Sequence, residues 1–176
     1  CIIISFMNKS LVNIQTFIHK TDYYTESNIQ YDINREYGYY PKKNSEFVEK
    51  IFYKDKLLRL NKYTINEHGH RRTINFDVNT NECIVFFGGS IIFGQSVNND
   101  ETLPHYVSMN LNGEKKVFNF AFNGYGPHQF LSKIENNYLD ELKICKKLYF
   151  IYFYINDHIG RVVGKRSWGD KSPRYI

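Results

Sequence analysis

With 176 residues, 42% of them hydrophobic and 23% charged, the chain has the balance of a globular domain with a real core and not of a disordered segment. Its formal charge of +5 is spread thinly. The densest basic spots, Lys42-Lys43, His70-Arg71-Arg72 and Lys146-Lys147, read as solvated surface and exclude a nucleic-acid stripe. Cys1, Cys83 and Cys145 show no CxxC spacing, which excludes a zinc ribbon and argues against a disulfide framework; Cys83 opens an apolar run and reads as a buried thiol. No run of about twenty apolar residues spans a membrane. The opening Cys1-Ile2-Ile3-Ile4-Ser5-Phe6 reads as the last turn of a signal or membrane anchor, or alternatively as a strand. Under the first reading the protein is extracytoplasmic or membrane-anchored.

The rhythm of the chain changes near residue 80. Residues 1–80 form an N-terminal extension, with a helical or irregular lead-in over 7–44 and antiparallel hairpins over 45–78. Within the latter, the runs Phe47 to Tyr53 and Leu57 to Ile65 are separated by Lys54-Asp55, and Asn66-Glu67-His68-Gly69 is a turn. Residues 81–176 alternate strand and helix. Ile84-Val85-Phe86-Phe87 has the form of a strand buried on both faces. A helix capped by Thr102 follows, with Pro104 in its first turn and Leu103, Val107 and Leu111 on one face. A second strand covers 117–122. A second helix runs from His128 to Leu142, with Leu131, Ile134, Tyr138 and Leu142 inward. A third buried strand covers 148–155. Short loops between such elements imply right-handed crossovers and a parallel sheet, with segments 117–122 and 148–155 on either side of 84–87. Ligands then sit outside the carboxyl ends of the strands.

Those ends carry the chemistry. The first reads Gly88-Gly89-Ser90-Ile91-Ile92-Phe93-Gly94. An α/β-hydrolase elbow needs Gly two residues after the Ser, where Ile92 stands. A phosphate loop needs Lys where Gln95 stands. Ser90 with Gly94 four residues on, followed by Val97, Thr102, Leu103 and Pro104, resembles the nucleophile turn of the SGNH (GDSL) hydrolases, with Gly89 in place of their Asp. The second end, Asn119 with Gly124 five residues later, and the third, Asn156-Asp157, are similar to that family's further motifs. The resemblance covers about residues 83–160, and more loosely the stretch from Tyr63 to Arg71.

It implies a flavodoxin-like three-layer α/β/α sandwich around a parallel sheet, preceded by the hairpin-rich extension. It implies Ser90 as nucleophile, and an oxyanion hole from the backbone N–H groups of Ser90 and Gly124 with the Asn156 amide. The substrate class it implies is an acylated carbohydrate or lipid, with no cofactor. Acyl transfer needs those parts: a nucleophile, fixed donors where the oxyanion forms, and a base. The family's base is a His in an Asp-x-x-His motif. None occurs after residue 160, so the sheet is expected to be incomplete and the base to lie beyond residue 176. His158, on the active face, is the alternative base or substrate contact. His68 and His70 flank Gly69 but supply too few ligands for a metal. Two other functions fit the same motifs: an O-acetyltransferase on this scaffold, and a carbohydrate-binding module without catalysis.

Overall fold

The computed structural model describes residues 22–75 and 79–164; the apolar opening at 1–6 lies outside them. Three strands stand where a helical or irregular lead-in was expected: β1 (Tyr23–Ser27), β2 (Tyr31–Asn34) and β3 (Gly38–Pro41). Their Tyr-rich sequences suit a pleated surface better than a helix. β2 and β3 pair as a hairpin. β4 (Ser45–Tyr53) and β5 (Lys56–Ile65) form the expected antiparallel hairpin, and β1 adds to its outer edge. Lys54 and Asp55 turn it with φ of 45° and 61°, the left-handed pair that a two-residue turn demands.

The second half contains β6 (Glu82–Phe87), α1 (Ser90–Phe93), α2 (Leu103–Leu111), β7 (Lys116–Asn119), α3 (Pro127–Glu135), β8 (Lys147–Tyr152) and α4 (Asp157–Val162). β6, β7 and β8 form a parallel sheet in the order β7-β6-β8, as the crossover argument requires. The fold is α/β. Alternation along β6 sends Phe86 to one apolar cluster and Cys83, Val85 and Phe87 to another, so both of its faces are covered. The first cluster joins Phe47, Tyr63 and Ile65 to Phe86, Phe93, Val117 and Phe122. Residues on both sides of position 80 therefore share one core.

Thr102 caps α2 as expected, its hydroxyl accepting from the His105 N–H at 3.2 Å. Leu103, however, is exposed, while Pro104 beside it in the first turn is buried. Four further expectations are overturned. First, Cys83 and Cys145 form a disulfide across 62 residues, with Cα atoms 5.8 Å apart; parallel pairing of β6 and β8 brings the two together. Second, the helix expected to reach Leu142 stops at Glu135, and its buried face is polar: His128, Gln129, Ser132 and Lys133. Leu131 and Ile134 are exposed, since the inner surface must answer polar groups. Ser132 donates to the Glu36 carbonyl, and Lys133 reaches the His70 ring at 3.1 Å.

Third, β8 is exposed along most of its length, including Leu148, Phe150 and Ile151. It is the edge strand of the described sheet, and it is covered less than β6, chiefly where Phe130 of α3 meets Phe150 and Tyr152. Fourth, His70 and Arg71 are buried, not solvated. His70 contacts the Glu141 carboxylate at 2.7 Å through Nδ1, while Arg71 enters the core behind α1.

Candidate functional site at the strand ends

The backbone gathers the three strand ends. The Phe122 N–H donates to the Gly88 carbonyl at 3.3 Å, and the Phe153 N–H to the Phe87 carbonyl at 2.9 Å. A Cβ placed on Gly89 would meet the Tyr125 carbonyl at 3.3 Å, His158 Nε2 at 3.3 Å and Arg161 Nη1 at 2.8 Å. The residue before Ser90 thus touches the residue after Gly124 and one two places beyond Asn156. A side chain at 89 would require the Arg161 guanidinium to shift.

Ser90 is half-buried and opens α1, whose N-cap is Gly89; it is a helical residue and not the cap. Its carbonyl accepts from the N–H groups of Gly94 (3.0 Å) and Gln95 (2.9 Å), closing the turn. Gly94 has φ 84°, and a Cβ there would lie 2.5 Å from Thr102 Cγ2, so glycine is needed four residues after the serine. Gly124 has φ 77° and lies in the turn closed by Tyr125 N–H to Phe122 O at 3.1 Å. Asn156 is exposed and precedes α4, but its side chain makes no capping bond to that helix. Neither Ser90 nor Asn156 is consumed by helix capping.

His158 is 1% exposed. The Ile155 N–H, which can only donate, reaches Nδ1 at 3.5 Å, and the Tyr152 hydroxyl lies 2.6 Å from the same nitrogen. Nδ1 therefore accepts, and the neutral ring carries its proton on Nε2, the atom facing Gly89. So placed, His158 turns Nε2 towards the serine turn. Burial, reinforced by the Arg161 guanidinium, pulls its pKa down to about 4. Arg161 is held by Asp157, with Nε and Nη2 at 3.1 and 3.0 Å, and donates through Nη1 to the Tyr125 carbonyl at 2.6 Å. Asp157 thereby ties α4 to the loop after β7. His128, at the start of α3, also has its pKa lowered to about 4, by burial first and then by Arg161 and His158.

Buried polar atoms normally find partners. Among the described residues five buried side-chain atoms have none, and four of them lie just beyond β7 and β8, in the loop at Asn123 (Oδ1) and the first turns of α3 (both His128 nitrogens) and α4 (His158 Nε2). No motif pointed to His128 or Arg161, whereas the crevice rule for parallel sheets covers Asn123, at the end of the second strand. A cavity of about 490 Å³ lined by residues 72–75, 99–100 and 105 shares no residue with these strand ends. Among the described residues no three His, Cys, Asp or Glu side chains converge as a metal site. None of the described helices is long and apolar enough to cross a membrane.

No protein-family model matches the chain, and no curated protein matches it.

Proposed function

We propose that the chain is the core of an SGNH-type serine acyl-ester hydrolase, in which the parallel sheet is the centre of a flavodoxin-like α/β/α sandwich. The observation that carries the reading is the meeting, around Gly89, of the Ser90 turn with the loops after β7 and β8. Ser90 attacks the ester carbonyl. Its own N–H, the Gly124 N–H and the Asn156 amide receive the oxyanion, aided by the preorganisation of a partly dry site. His158, oriented by Tyr152, contributes a further donor behind the turn. The proton acceptor is left to the Asp-x-x-His motif that the resemblance implies.

An acylated carbohydrate or lipid is the proposed substrate, and transfer of the acyl group to a sugar hydroxyl is the same chemistry with another acceptor. The Cys83–Cys145 bond supports an oxidising, extracytoplasmic setting, where such substrates lie. A fluorophosphonate probe tests the reading directly. In a form of the protein that carries this Asp-x-x-His base, covalent labelling should occur with Ser90 in place and vanish in Ser90→Ala. Labelling that survives in Ser90→Ala, or is absent from both, would leave a carbohydrate-binding module without catalysis as the better account.

A further inference from the structure

Arg71 is the largest side chain in the structure to be fully buried, at 1% exposed. Its backbone bridges Ile65 on one side and Asn119 on the other, so it stands where the hairpin sheet meets the parallel sheet. The guanidinium runs under α1, stacked 4.3 Å from the Tyr63 ring centre and 5.2 Å from that of Phe93. Nη1 donates to the Phe93 carbonyl at 2.8 Å and the Gly94 carbonyl at 2.5 Å, Nη2 to the Val97 carbonyl at 2.7 Å, and Nε to Asn99 Oδ1 at 3.1 Å. Alongside, Asn119 Nδ2 donates to the Ile92 carbonyl at 3.0 Å.

A helix as short as α1 leaves its last carbonyls without helical partners. Here three consecutive ones, on Ile92, Phe93 and Gly94, are gripped by two side chains from outside the turn. A buried cation is costly, and among the described residues no carboxylate bonds this one directly; the acidic groups that favour it, Glu49, Asp100 and Glu101, act at a distance. A plain apolar side chain could fill the space without that cost. What it could not do is fix carbonyls in space, which a rigid fork does.

We infer that Arg71 is the positioning residue of the nucleophile turn, holding Ser90 in register with the loops after β7 and β8 by clamping the far end of α1. The N-terminal hairpins are on this account part of the site and not an appendage. The inference rests on the serine reading above. A displacement of about 1 Å at such a nucleophile lowers a rate by up to about 10²-fold.

The test is inactivation by a fluorophosphonate, in a form of the protein that carries the Asp-x-x-His base, resolved into kinact and KI, for wild type, Arg71→Lys and Asn119→Ala. Each protein is compared at a temperature where circular dichroism shows it folded. Lysine keeps the charge but donates from a single point, so kinact should fall about 10- to 100-fold with KI within about twofold. Asn119→Ala, which releases the Ile92 carbonyl, a 3.5 Å bond to the Phe93 carbonyl and the Ala121 N–H but leaves the Arg71 fork in place, should show the same split more mildly and serves if Arg71→Lys does not fold. In Arg71→Ala, millimolar guanidinium should raise kinact in a saturable way. Equal kinact in the wild type and folded variants overturns the inference, as does a change confined to KI. A wild type that is not labelled at all overturns the serine reading itself.

Discussion

Removing the Cys83–Cys145 bond should loosen the molecule at β8 before anywhere else. The bond closes a loop of 62 residues, which by chain entropy corresponds to about 4 kcal/mol of stabilisation against the unfolded chain. That is a large share of the roughly 5–15 kcal/mol by which ordinary domains are stable. The strand nearest the bond has little else to hold it: β8 is exposed along most of its length and is attached mainly by its ladder to β6. Cys83, by contrast, is wholly buried in the cluster under β6. Reduction should therefore free β8 and, with it, the loop bearing Asn156 and His158. The measurement is urea unfolding with and without a phosphine reductant, beside Cys83→Ala/Cys145→Ala, together with hydrogen exchange over residues 147–152. Comparing reduced wild type with the double variant separates the cross-link from the packing of the two sulfur atoms. A change under about 1 kcal/mol, or protection of β8 equal to that of β6 after reduction, would refute the reasoning.

Three other outcomes are expected. In a form of the protein that carries the Asp-x-x-His base, Asn156→Ala should lower kcat on an acetyl ester by about 10²–10³ while leaving KM nearly unchanged, the signature of a lost oxyanion donor; an unaltered kcat would remove Asn156 from the site. Gly89→Ala puts a methyl 2.8 Å from Arg161 Nη1 and 3.3 Å from His158 Nε2, so its melting point should drop by the equivalent of roughly 1–3 kcal/mol, and a normal melting point would mean Arg161 yields freely. His128 and His158 titrate near 6.5 when unfolded and at about 4 when folded, so the unfolded chain takes up protons first. Their stabilisation is complete above pH 6.5 and is lost as pH falls towards 4. Urea midpoints from pH 7.5 to 4.5 should decline and should flatten in His128→Phe/His158→Phe; a flat wild-type curve contradicts the assignment.

Much of the frame was legible in the chain, because it depends on neighbours a few residues apart. The apolar run at 84–87, the Thr102 cap, the Lys54-Asp55 turn and the strand–helix alternation each follow from local periodicity and turn chemistry, and together they led to the observed β7-β6-β8 order. The glycines at 88, 89 and 94 marked the serine turn as well. What stayed hidden was set by residues far apart in sequence. A basic triplet at 70–72 looks solvated until the fold brings the carbonyls of residues 93–97 around Arg71 and the Glu141 carboxylate to His70. Two cysteines 62 residues apart give no sign of pairing until parallel strands align them. The apolar stripe on α3 pointed to the wrong face, because the surface opposite that helix is made of His70, Glu36 and other polar groups that only a polar face can satisfy. Local sequence determines which segments become strands and helices and where the turns fall. Which charges are buried and which atom of His158 carries the proton are decided by tertiary contacts, since desolvation and hydrogen bonding act through space and not along the chain.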